Sequence, residues 1–171
     1  AMIGCLVGSE MCIRDRIPGV AAAAGCQLVA TCDLAIASNE AVFITPGVNI
    51  GLFCSTPMVA VSRSLGRKKT MEMLLTGESM NAEDAVSFGL INKKVPLNEL
   101  EITVLNFAKL IASKPTSTVR IGKEAFYKQA ELPIEKAYKY TSEVMAQNML
   151  KKDAKEGIEA FLEKREPKWE N

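Results

Sequence analysis

The run Ala21-Ala22-Ala23-Ala24-Gly25-Cys26-Gln27 is the first place in this chain where chemistry can be built. Small residues leading into a helix leave its first backbone N–H groups without acceptors. The helix dipole adds positive potential at the same end. Donors of this kind, aimed at one oxygen, make an oxyanion hole, each well-placed donor contributing about 3–4 kcal/mol. The alternative reading is tight packing of a short apolar helix. None of the 171 residues is a histidine. That excludes a Ser-His or Cys-His dyad, a histidine metal ligand and an imidazole proton shuttle. Asp33 and Glu40 are the nearest downstream acids; the first reads as a cap or structural ion pair, the second as a solvated turn residue. Asn49, Ser55 and Thr56 either line a pocket or form a cap-and-turn cluster.

The five cysteines are Cys5, Cys12, Cys26, Cys32 and Cys54. Their odd number and the lack of a C-x-x-C pair argue against a disulfide framework and a zinc site, so no metal is expected. Cys26 and Cys54 sit among apolar neighbours with no histidine to activate a thiol, and read as inert rather than nucleophilic. A net charge of +1, from 21 basic and 20 acidic residues, supplies no field for nucleic acid. The longest apolar tract, Val20 to Ala30, is broken by Gly25 and Gln27 and falls short of the roughly 18 residues of a membrane span.

These residues need elements to position them. Residues 1–16 show no sustained period of two or 3.6 and read as a segment foreign to the fold. They also lack the n-region and h-region of a secretory signal. Residues 22–31 predict a short helix buried all round, and 33–37 and 41–45 predict strands, with a turn between them and a break at Pro46-Gly47. Ser55-Thr56-Pro57 opens a helix that stops near Gly66. A helix over 67–75 closes at Thr76-Gly77. Asn81 caps the next helix, with acidic residues in its first turn and Gly89 after its end. A strand over 90–95 ends at Pro96. Helices follow over 97–113, with Leu100, Val104, Phe107, Ala108 and Ile111 on one face, and over about 116–130. Another covers 134–150, with Ile134, Tyr138, Thr141, Met145 and Asn148 on one face. The last covers 153–164 and is expected to bury Ile158, Phe161 and Leu162. The fold class expected is α/β, with short strands and helices first and a helical region after.

From Ile17 onward the chain resembles the crotonase, or enoyl-CoA hydratase/isomerase, superfamily. The resemblance rests on GVAAAAGCQLVATCDLAIAS, AVFITPGVNIGL, LGRKKTMEMLLTGESMNAEDAVSFGLINKKVP and DAKEGIEAFLEKREPKW, in that order. It implies a spiral of β-β-α turns, here N-terminally truncated (a partial core over 17–96), followed by a helical trimerisation region over 97–171. It also implies an acyl-CoA thioester ligand in fatty-acid metabolism, with no permanently bound cofactor. The Ala24 N–H stands at one oxyanion donor of the family. Gln27 and Gly47 stand where hydratases carry their two glutamates. Paired carboxylates activate water and deliver a proton; glutamine has no titratable proton, and glycine has no side chain at all. Phe161 and Lys164 match positions that hold the CoA nucleotide, often from a neighbouring subunit, with the ammonium pairing with a 3′-phosphate. The alternative for these two is a core phenylalanine and a solvated lysine. Self-association as a homotrimer or hexamer is implied, as is a location in the cytoplasm of a bacterium or the mitochondrial matrix of a eukaryote. Three readings stay open: an acyl-CoA enzyme without the hydratase glutamates, a non-catalytic thioester-binding or structural member, and an incomplete fragment.

Overall fold

The computed structural model describes residues 13–169, with side chains described from Arg16. The chain forms two compact units, one up to Ala108 and one from Lys109.

The first unit holds two small sheets. In one, β1 (Ile13–Ile17) and β6 (Lys93–Val95) flank β3 (Leu34–Ser38), all parallel. In the other, β4 (Val42–Ile44) lies between β2 (Val20–Ala22), parallel to it, and β5 (Ser79–Asn81), antiparallel. Between and after the strands come α1 (Ala24–Thr31), a 3-10 segment over Pro46–Ile50, α2 (Ser55–Ser64), α3 (Arg67–Thr76) and α4 (Ala82–Ser87). The core is Cys26, Val29, Phe43, Val61, Met73, Met80 and their small neighbours. β3 is buried along nearly its whole length, as a strand with parallel neighbours on both sides must be. Asn92 extends its pairing with β6: the Asn92 N–H donates to Ala35 O (2.8 Å), and the Asn92 side chain accepts from the Ala35 N–H (2.8 Å).

Several local signals act as read. The Asn81 side chain accepts from the Asp84 N–H (2.8 Å), and Glu83 and Asp84 occupy the first turn of α4. Gly77 and Gly89 take positive φ at helix ends.

The expectation that residues 1–16 stand outside the fold does not hold for residues 13–16, which form β1 beside β3. Three charges in five residues hide this strand from a periodicity reading, and its pairing with β3 carries a register shift between Ile13 and Arg16. Ile17 is buried, and the exposed Arg16 pairs with Glu101 (3.4 Å). Residues 1–12, with Cys5 and Cys12, lie outside the described residues. The first helix starts at Ala24 rather than residue 22, because β2 takes Val20–Ala22 and Ala23 turns the chain at positive φ. Only Cys26 and Val29 of α1 are fully buried, so it is not covered all round.

α5 (Leu97–Ala112) presents the expected face: Leu100 is buried and Val104, Phe107, Ala108 and Ile111 are half-buried, while Ile102 and Leu105 are exposed. The second unit contains α6 (Thr116–Ala130), α7 (Ile134–Met149) and α8 (Lys152–Glu163). Here two expectations fail. The covered side of α7 is Ala137 with the half-buried Tyr140, Thr141, Val144 and Asn148; Ile134, Tyr138 and Met145 are exposed. On α8 it is Asp153 and Ala160 that are buried, and Ile158, Phe161 and Leu162 that are exposed. Small residues at the contact let helix axes approach closely, so the neighbours cover Ala137 and Ala160 and leave the larger side chains outside. Asp153 is buried with a partner, accepting from the Ser117 hydroxyl (2.5 Å). Among the described residues no helix is long and apolar enough to cross a membrane.

Candidate active site

β2 and β4 run parallel with Ala22 opposite Ile44, so both strands end on the same side of their sheet. That carboxyl edge is where open α/β sheets present ligands. β2 leads through Ala23 into α1, and β4 leads through Thr45 into the 3-10 segment. The sequence therefore delivers Ala24, Gln27 and Gly47 to one edge of one sheet.

Ala23 makes the turn. Its φ of 47° with ψ of −107° lies outside even the left-handed helical well, a conformation that costs an L-residue about 1–3 kcal/mol. It is held there because its N–H donates to Ile44 O (2.9 Å) and its carbonyl accepts from the Gln27 N–H (3.0 Å). The positive φ thus falls at Ala23, and Ala24 itself is the first residue of the helix. Among the described residues the Ala24 and Gly25 N–H groups donate to no backbone carbonyl. They sit at the positive end of α1, which carries no acidic residue in its first turn to compete for them.

Gln27 lies one turn into α1, half-buried, and its side-chain amide makes no hydrogen bond among the described residues. It is free to donate to or accept from a ligand. Gly47 is closed in. A Cβ built on it would stand 2.9 Å from Leu52 O, 3.0 Å from Cys54 Sγ and 3.3 Å from Cys54 N. The loop is fastened in that position by the Leu52 N–H donating to Gly47 O (2.9 Å). Backbone and a thiol occupy the volume a side chain would need.

The 3-10 segment is braced from below. The buried Thr45 hydroxyl donates to Met73 O (3.0 Å), and Asn49 Nδ2 reaches Gly77 O (3.5 Å). Gly77, at φ 64°, leaves room for that amide, which a Cβ there would meet at 2.9 Å. Asn49 and Thr45 thus support the loop. Ser55 bonds locally to Phe53 O (3.3 Å), Thr56 is exposed, and Glu40 is an exposed turn residue.

Cys26 is fully buried, and burial first, then the Cys54 thiol, pushes its pKa up to about 11. It packs as an inert thiol. Ala23, Thr45, Leu52 and the packing of Cys54 against Gly47 were not legible beforehand. The only signal was Pro46-Gly47, a break after a strand, which does not reveal what the following loop packs against.

In the second unit Phe161 is exposed on α8, and Lys164 ends that helix in the left-handed conformation. Both are open to solvent in the single chain.

The family model described as enoyl-CoA hydratase/isomerase matches residues 6–171. The chain belongs to the enoyl-CoA hydratase/isomerase family. The match reaches into residues 6–16, beyond where the sequence resemblance begins. The rat mitochondrial enoyl-CoA hydratase domain-containing protein 3 is 51% identical over 157 residues, 92% of this chain and 52% of the relative. Among solved structures, an enoyl-CoA hydratase of Mycobacterium smegmatis is 49% identical with a TM-score of 0.88, over 90% of this chain and 60% of that one. Human enoyl-CoA hydratase domain-containing protein 3 is 50% identical with a TM-score of 0.86, over 88% of this chain and 60% of that one. The fold is therefore the crotonase fold, and the chain spans about half the length of the curated relatives it matches.

Proposed function

We propose that this protein binds an acyl-CoA thioester with its carbonyl oxygen on the Ala24 N–H, and that it does not hydrate enoyl thioesters. The observation that carries this reading is the edge where β2 and β4 end: an unpaired helix N-terminus at Ala24 beside a Gly47 whose side-chain volume is filled. A backbone donor at a helix N-terminus polarises a carbonyl without any acid or base. Hydration needs water activated and a proton delivered. Gln27 supplies neither, and Gly47 has no room for a group that would. Such a site retains the binding half of the family's chemistry. The unpaired Gln27 amide would steady an enolate or a thioester oxygen in a reaction that needs no added water. Phe161 and Lys164 would hold the nucleotide end of a ligand across the subunits of a trimer. The compartment proposed is that of the relatives named above as mitochondrial.

The test is direct. Titration calorimetry with crotonyl-CoA should report binding, while the absorbance of the conjugated enoyl thioester stays at its uncatalysed rate of loss. Rapid hydration by the wild-type protein would overturn the reading. Gln27→Glu alone should not create activity, since the second acid has no space.

A further inference from the structure

The end of α8 reverses two residue choices that helices favour. Gly157 stands in the helix interior, where glycine is among the poorest formers. Lys164 stands just past the helix at φ 55° and ψ 39°, where glycine is the usual choice. The bonds there are the Schellman pair: the Lys164 N–H donates to Phe161 O (3.3 Å) and the Arg165 N–H to Ala160 O (3.0 Å). A lysine held left-handed persists only where its surroundings over-determine it.

One arrangement accounts for both. After Lys164 the chain folds back along α8. The Arg165 guanidinium donates to both oxygens of Glu156 (2.6 and 3.0 Å) and to Glu163 (2.5 Å). Glu156 also accepts from the Lys168 N–H (2.7 Å). The Trp169 ring lies over Gly157, where a Cβ would stand 3.3 Å from its Cη2. Gly157 is the gap that admits the indole. Residues 165–169 thus form a strap seated on Glu156 and Gly157, and Lys164 is its apex. Two adjacent cations are treated differently: Arg165 is fully engaged in the strap, whereas the exposed Lys164 has no ion-pair partner among the described residues.

We infer that this strap holds Lys164 in place for the phosphate-bearing end of the ligand, and that Glu156, Gly157, Arg165 and Trp169 are positioning residues for it. The inference rests on the CoA reading above. Lys164 is an exposed point charge whose pull on a phosphate weakens as salt rises; the strap acts by fixing where it stands.

Trp169 is the single tryptophan of the chain, so its fluorescence reports the strap without any ligand. Gly157→Leu evicts the indole and should shift its emission to the red with helix content unchanged by circular dichroism. CoA and dephospho-CoA, which lacks the 3′-phosphate, are then titrated at low and high salt. The variant should bind CoA about tenfold more weakly at low salt, with the deficit shrinking at high salt, and should bind dephospho-CoA as the wild type does. Trp169→Ala, which leaves α8 untouched, should reproduce that loss should the leucine variant fail to fold. Lys164→Gly should raise the melting temperature while losing the same salt-dependent part of CoA affinity. Release of Trp169 with CoA affinity unchanged overturns the inference and leaves the CoA reading standing. So does a wild type that does not distinguish CoA from dephospho-CoA while binding both, or an indole whose emission Gly157→Leu does not move. A wild type that binds neither ligand overturns the CoA reading itself, and the inference with it.

Discussion

Up to Ala108 the core contains large apolar side chains: Phe43, Leu74, Met80 and Leu100 are at most 1% exposed. From Lys109 on, Phe161 is 82% exposed, Ile134 74% and Leu162 73%. The first unit buries several large residues in its core while Ile50, Leu52 and Leu75 stay exposed; in the second the buried apolar residues are small, Ala125, Ala137 and Ala160, and the large ones lie outside. Soluble monomers rarely expose contiguous apolar patches beyond a few hundred Å². The first unit therefore has a core of large side chains of its own, and the second does not.

Phenylalanine truncation gives the sharpest contrast. Phe43→Ala removes a fully buried ring and should cost about 3–5 kcal/mol of stability in a denaturant titration. Phe161→Ala should leave protomer stability nearly unchanged and instead lower the mass seen by light scattering. Equal stability losses at the two positions would erase the distinction between a closed and an open apolar surface.

Two glycines of the candidate site divide the first unit further. Gly47→Ala forces its Cβ against backbone at Leu52 and should destabilise by about 1–3 kcal/mol. Gly25→Ala meets nothing closer than Ala21 Cβ at 4.0 Å and should stabilise α1 by about 0.5–1 kcal/mol. Ala23→Gly, which relieves the strained φ of 47°, should stabilise by about 1 kcal/mol in the same assay. If Gly47→Ala is neutral, the loop over residues 52–54 yields easily and the site is not closed to a second acid.

The smallest effects are electrostatic. Hydrogen bonds from Arg165, then from the Lys168 N–H, hold the Glu156 carboxyl near 2 instead of its ordinary 4.5. A lowered acid stabilises above its unfolded value, so the contribution is full above pH 4.5 and disappears as pH falls through about 2. Trp169 emission should stay constant from neutrality to about pH 4.5 and change below it. Cys26 carries the opposite sign: its pKa is raised to about 11, so stability is kept below pH 9 and lost as pH climbs through 11. Alkylation at pH 8 should spare Cys26 until the first unit unfolds.

Much of this was legible in residue order. The cap at Asn81, the glycine stops at Gly77 and Gly89, and the covered face of α5 all follow from local rules. The strands β1, β2 and β5 were not, because three to five residues carry too little pattern and their partners lie far along the chain. The face of α7 was misread because large apolar residues mark a face that wants covering, whereas close helix approach selects small ones such as Ala137.

By itself the sequence determined which groups are absent, since no fold can supply an imidazole or a carboxylate at Gln27 and Gly47. It also determined the family, because the motif segments from Gly19 to Trp169 occur together and in order. Tertiary structure alone decided that Ala23 carries the strain, that Leu52 and Cys54 fill the space beside Gly47, and that Trp169 rests on Gly157. The physical reason is that residue type sets the available chemistry, whereas occupancy of a volume depends on contacts that loops close only once the chain has packed.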